Sequence, residues 1–265
     1  MILRHHTANT KPLGTIHRPV WLALLCYVLA QLCLSSPAQA EQARVAVAAN
    51  FIGPAKELIA AFMQKTGDVI IPSFGSSGQF VIQIEQGADY DLFLSADQTK
   101  PAKLLKDGFG VEKNQFTYAL GKLALWSNTP AYPAGEDTLR AAGFNHLALC
   151  KPAVAPYGAA ALATLEALHL EATLRPHIVM GMDIAQAYQF VQSGNAELGF
   201  VAYSQLHNQH EGTVWVVPAN LYPPIRQDAL LLKHGAQNHA ARAFFTYLQG
   251  AQARAIITSY GYDMP

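Results

Sequence analysis

The stretch Ser73-Phe74-Gly75-Ser76-Ser77-Gly78-Gln79 carries the densest chemistry in the chain. An apolar run at 69–71 leads into it, and an amphipathic run with Phe80, Val81 and Ile84 leads out. The order reads as strand, hydroxyl-rich turn, helix. The first turn of a helix leaves backbone N–H groups without partners and carries partial positive charge. Two serines and two glycines beside those groups make a nest of donors that contains no carboxylate, and such a place suits an anion.

Three other helix starts have related character. Asn50 ends an apolar run at 44–49. Pro156-Tyr157-Gly158 opens an alanine-rich helix, with proline preset for the first position and the Tyr157 N–H left free. Asp183 precedes Ile184, where it orients a helix and presents the Ile184 N–H. Helix capping is the ordinary role of Asn50, Ser76, Ser77 and Asp183. Gly75 and Gly78 permit close backbone approach, which favours binding at the serines. Four such starts facing one cleft would form a site, and their convergence is a matter of tertiary structure.

Catalytic motifs do not fit. Gly75-Ser76-Ser77-Gly78-Gln79 fails the G-x-S-x-G pattern because Gln79 stands where the last glycine belongs. Gly121-Lys122 is followed by Leu123 and lies in a strand, so there is no phosphate-binding P-loop. His207 and His210, with Glu211 beside them, lack the H-E-x-x-H order, and a polar segment next to Gly212 reads as a solvated loop. His146, His169, His177, His234 and His239 show no ligand spacing and read as surface residues.

The elements that must position these residues alternate. Strands are expected at 44–49, 69–72, 91–95, 120–126, 146–150, 178–180, 197–202, 213–217 and 229–232. Helices are expected at 54–63, from the serine nest to Gln86, at 101–106, 157–169, 184–192, 236–249 and 251–259. Alternation of this kind predicts mostly parallel sheets covered by helices on both faces. In such sheets ligands sit beyond the carboxyl ends of the strands, where Asn50 and Ser76-Ser77 fall. The Pro/Gly-rich piece at 129–135 is a composition shift expected to mark a crossing into a second unit.

The first forty residues read differently. Arg4, Lys11 and Arg18 precede or border an apolar run at 20–30, and Ala38-Gln39-Ala40 gives a small-x-small cleavage pattern. This is a secretory signal peptide, since the apolar run is short for a membrane span of about 20 residues. Its loss leaves 15 basic against 18 acidic residues, a mildly acidic chain with no basic patch for nucleic acid. Cys26 and Cys33 leave with it, so Cys150 stands alone and no intramolecular disulfide holds the exported chain. The remaining 225 residues suffice for one large or two small domains.

Taken together, Ala48-Ala49-Asn50, the nest followed by Gln83-Ile84-Glu85-Gln86-Gly87-Ala88, and Asp91-Leu92-Phe93-Leu94-Ser95-Ala96-Asp97-Gln98 resemble the periplasmic molybdate-binding proteins of ABC transporters. The resemblance continues through Gly199-Phe200-Val201-Ala202 and ends at Tyr260-Gly261-Tyr262. It implies an α/β fold of the periplasmic binding protein type II class, with two hinged lobes, each a mostly parallel sheet flanked by helices. Lobe one would hold 41–122 plus 220–265, and lobe two 123–219.

It further implies that molybdate or tungstate meets Asn50 and Ser77, with Ala49 adding a backbone donor, and the backbone N–H groups of Tyr157 and Ile184 from the other lobe. No catalytic residue, cofactor or metal is implied apart from the molybdenum or tungsten of the oxyanion. The partner would be an ABC permease, and the protein a periplasmic monomer of a Gram-negative cell without membrane insertion. One branch of the family uses a tyrosine after G-[IF]-V. Here that position is Ala202, with Tyr203 next, so no tyrosine hydroxyl is assigned to the ligand. The alternatives are a binder of sulfate or another small anion, a secreted serine hydrolase using Ser76 or Ser77, and a zinc-binding protein relying on His207 and His210.

Overall fold

The computed structural model describes Ile2 and residues 41–265, so the signal-peptide reading of 1–40 lies outside the described residues. The chain begins with β1 (Gln42–Ala48), buried over its last four residues. A 3₁₀ turn at Ala49–Phe51 leads into α1 (Ile52–Thr66), which buries Leu58, Ile59 and Phe62 against the sheet. Then come β2 (Val69–Gly75), α2 (Ser77–Glu85), β3 (Leu92–Leu94) and α3 (Thr99–Lys106). β4 (Gly110–Gly121) closes this part, and β5 (Leu123–Ser127) follows after one residue, Lys122.

The second half contains α4 (Glu136–Ala141), β6 (Leu147–Cys150), α5 (Pro156–Ala167) and α6 (Glu171–Leu174). β7 (Ile178–Gly181), α7 (Ile184–Gln192), β8 (Leu198–Ala202) and β9 (Thr213–Val216) complete it. β10 (Ile225–Leu232), α8 (His239–Tyr247) and α9 (Ala251–Ser259) return to the first half.

The strands form two five-stranded sheets, ordered β2-β1-β3-β10-β4 and β7-β6-β8-β5-β9. The two orders correspond position by position. In each sheet three strands run parallel, and the strand that arrives from the other half (β10 or β5) adds two antiparallel pairings. The fold is therefore α/β with two lobes, and its sheets are mixed. The antiparallel share comes from the strands on which the chain crosses between halves.

Three differences from the sequence reading have clear causes. The run 120–126 is not one strand but divides at Lys122, where the chain leaves one sheet for the other. The crossing is thus upstream of the Pro/Gly-rich piece at 129–135. The earlier part of β4 includes Glu112, Lys113, Asn114 and Gln115 on an edge strand partly facing water, so it lacks an apolar signature. The segment read as one helix at 236–249 is a 3₁₀ turn, His234–Gln237, followed by Asn238, whose side chain caps α8 by accepting from the Ala241 N–H at 3.0 Å.

Register places the site. Ala48 pairs with Gly75 at the ends of β1 and β2, and Cys150 pairs with Gly181 at the ends of β6 and β7. Each pair of strands therefore delivers two neighbouring helix starts at the carboxyl edge of its sheet.

Candidate functional site

Between the sheets lies a small cavity. Ala48, Ala49, Asn50, Gly75, Ser76, Ser77 and Ala96 line it from the first half, and Ala155, Pro156, Tyr157, Asp183 and Ile184 from the second. All five residues singled out for the oxyanion (Ala49, Asn50, Ser77, Tyr157 and Ile184) reach this one cavity, and all five are buried. Tyr203 does not line it; its ring lies where a side chain at Gly261 would stand.

The helix starts supply donors. Ser77 opens α2, Tyr157 is the second residue of α5 and Ile184 opens α7. Among the described residues none of their N–H groups meets a backbone acceptor. Ser76 is the N-cap of α2, and its Oγ accepts from the Gln79 N–H at 3.3 Å. Ser77 differs. Its Oγ accepts from the Ala96 N–H at 2.9 Å, which occupies a lone pair and leaves the hydroxyl hydrogen to donate. Asp183 caps α7 as Ser76 caps α2, its Oδ1 accepting from the Gln186 N–H at 3.0 Å. It brings a carboxylate to a wall where donors were expected, with one oxygen committed to the cap.

Among the described residues no lysine, arginine or histidine lines the cavity, so an anion there is met by neutral dipoles and hydrogen bonds. Burial pushes the Tyr157 hydroxyl well above its ordinary pKa, so it remains a protonated group. Burial also pushes the Cys150 thiol, at the end of β6, up to about 12, which keeps it from acting as a nucleophile.

Behind the cavity sits a polar cluster that spans the two halves. Asn50 Nδ2 donates to Gln227 Oε1 at 2.8 Å and to the Tyr262 hydroxyl at 2.9 Å. Gln227 Nε2 donates to the Tyr157 hydroxyl at 3.1 Å, and the Tyr118 hydroxyl lies 3.0 Å from Gln227 Oε1. Ser204 Oγ donates to the Asn50 carbonyl at 3.0 Å, which also accepts from Tyr262 at 3.0 Å. Asn50 thus stands at the cavity wall as expected, but both its amide hydrogens are directed to protein partners.

The sequence reading missed Gln227, Tyr118 and Ser204. A signal existed for the first: Gln227-Asp228 is a polar pair joined to the apolar run 229–232, and both residues are buried. His207 stacks on Tyr260 at 4.2 Å, and no group of three or more His, Cys, Asp or Glu suited to a metal ion occurs among the described residues.

Comparisons with known proteins identify the family and the fold. The sequence model of the bacterial extracellular solute-binding proteins matches residues 43–263. The chain is 47% identical over 229 residues to the molybdate-binding protein ModA of Rhodobacter capsulatus, covering 86% of this chain and 91% of that one. It is 46% identical over 247 residues to ModA of Azotobacter vinelandii, covering 92% and 98%. Among solved structures, the periplasmic molybdate-binding protein of Azotobacter vinelandii superposes with a TM-score of 0.81 at 38% identity, covering 84% of this chain and 99% of that one. The sulfate-binding protein SubI of Mycobacterium tuberculosis shares the fold, with a TM-score of 0.70 at 15% identity and coverages of 84% and 87%.

Proposed function

The chain belongs to the bacterial extracellular solute-binding proteins, and from that premise we propose that its cleft captures molybdate, or tungstate, for delivery to an ABC permease. The observation that carries the reading is the junction of four helix starts from two lobes at one small cavity that, among the described residues, has no cationic side chain. Two relatives of 46% and 47% identity, each bearing the name of a molybdate-binding protein, support the named ligand.

A tetrahedral dianion offers only acceptors. The N–H groups of Ser77, Tyr157 and Ile184, the first-turn N–H groups of Ala49 and Asn50, and the Ser77 hydroxyl are the donors assigned to it. Neutral donors on helix termini stabilise the charge without a buried counter-ion, whose desolvation would be costly. Each charge-assisted bond contributes about 1.5–3 kcal/mol net, so a handful supports tight binding after the cost of lobe closure.

In this reading 41–122 with 220–265 and 123–219 move as two bodies about the crossings near Lys122 and the 218–224 loop. The protein works as a monomer in the periplasm after removal of 1–40, with no catalytic step. The hydrolase alternative lacks support, because the Ser76 and Ser77 hydroxyls accept from backbone amides and, among the described residues, no histidine lines the cavity. Titration calorimetry on the purified chain tests the proposal. One tight site for molybdate and tungstate, with sulfate and phosphate far weaker, is expected; equal affinity for sulfate would refute the named ligand.

A further inference from the structure

We infer that Gln227 is a positioning residue that sets which face of the Asn50 amide an oxyanion meets, by turning together with it. The inference rests on the oxyanion reading of the cavity given above.

Asn50 lines the cavity and is 2% exposed, and Gln227 is fully buried behind it. With both Asn50 hydrogens committed to Gln227 and Tyr262, the amide atom left without a protein partner is Oδ1, an acceptor. A dianion beside that oxygen is repelled; beside an N–H₂ group it is held. An amide turned by 180° exchanges oxygen and nitrogen with almost no change of shape. For Asn50 alone the turn fails, since Oδ1 would then face Gln227 Oε1, two acceptors at 2.8 Å.

When both amides turn, the amide contacts stay paired, and the one bond given up is that from the Tyr262 hydroxyl to the Asn50 carbonyl. Gln227 Nε2 donates to Asn50 Oδ1 and to the Tyr118 hydroxyl, whose own hydrogen goes to the Ser95 carbonyl, 3.1 Å away. The Tyr157 hydroxyl donates to Gln227 Oε1, and the Tyr262 hydroxyl donates to Asn50 Oδ1. Ser204 still donates to the Asn50 carbonyl. The Asn50 N–H₂ is then free for the ion. The hydroxyls of Tyr118, Tyr157, Tyr262 and Ser204 make this reversal feasible because each is donor and acceptor at once.

The backbone accommodates the arrangement through Gly121, the last residue before the crossing. A Cβ there would stand 2.2 Å from the Tyr157 hydroxyl and 2.7 Å from Gln227 Nε2. Since Tyr157 also presents its N–H at the cavity, Gln227 connects donors in both lobes.

The test compares two substitutions of similar size. Gln227→Glu is acceptor-only when ionised, so it pairs only with Asn50 Nδ2 and keeps that group from the ion. Gln227→Met removes the polar partner but imposes no orientation. Calorimetry should show molybdate affinity about tenfold to a hundredfold lower for Gln227→Glu, and a smaller loss for Gln227→Met. Lowering the pH until the buried Glu is protonated should restore binding, because the neutral acid again donates to Asn50 Oδ1. Thermal unfolding without ligand separates these effects from loss of fold.

In ¹⁵N-labelled wild-type protein the Asn50 side-chain amide signals should move on adding molybdate, and in Gln227→Glu they should stay in place. Wild-type affinity in Gln227→Glu, a greater loss in Gln227→Met, or unmoved Asn50 signals in the wild type would each overturn the inference. Failure of the wild type to bind molybdate would instead strike the functional reading on which it stands.

Discussion

The Gly78 N–H donates to the Val154 carbonyl at 2.9 Å, a backbone bond that joins the serine nest of one lobe to the 151–155 loop of the other. It lies directly beside the cavity between the lobes, whose walls include Ser77 on one side and Ala155 on the other. The approach is close enough that the residue must be glycine. A Cβ at position 78 would stand 2.9 Å from the Val154 Cα and 3.0 Å from its carbonyl oxygen.

Gly78→Ala should therefore oppose closure of the lobes while leaving each lobe folded. Molybdate affinity is expected to fall by about 1–3 kcal/mol, in the range of overpacking costs. The melting temperature without ligand should stay near the wild-type value, because the strained contact is between lobes. Calorimetry and thermal unfolding on the same samples check both parts; unchanged affinity would mean the contact plays no part in closing the site.

Ser77→Ala removes a hydroxyl whose lone pair is held by the Ala96 N–H and whose hydrogen is free for the ion. Binding should weaken by about 1–3 kcal/mol. Ser76→Ala offers the contrast, since its Oγ caps the helix through Gln79. That substitution should cost stability of about 1 kcal/mol and affect affinity less. A reversal of the two would exchange the roles assigned to these neighbours.

Glu197 predicts a pH effect far from the cavity. Partial burial raises its pKa, but the His146 N–H, the Asn145 amide and the charge of His146 outweigh that and hold it below the ordinary carboxylate value. A depressed folded-state pKa contributes stability that is present above the unfolded pKa and lost as pH falls through the folded one. Melting temperature should thus fall on acidification below the carboxylate range, and Glu197→Gln should flatten that part of the profile. Identical profiles would show that Glu197 is not among the carboxylates responsible.

Much of this protein is legible in its residues alone. The apolar strands, the capping side chains at Ser76 and Asp183, and the proline before Tyr157 are local signals, and local signals specify elements and their ends. They also fix what kind of group each helix start offers, because unpaired N–H groups follow from helix geometry itself. Hence Ala49, Asn50, Ser77, Tyr157 and Ile184, which line one cavity, could be singled out from the chain in order, with the resemblance to guide the choice among helix starts.

What required tertiary structure was everything that depends on contacts distant in sequence. Asn50 and Gln227 are 177 positions apart, and nothing near either residue records that their amides share hydrogens. The division of 120–126 at Lys122 was likewise hidden, since both strands are apolar there and only their different sheet partners separate them. Packing within one lobe also decided what Asn50 is held by: an amide has two unlike ends, and Gln227, buried behind it on a strand of the same lobe's sheet, accepts from its N–H₂ end.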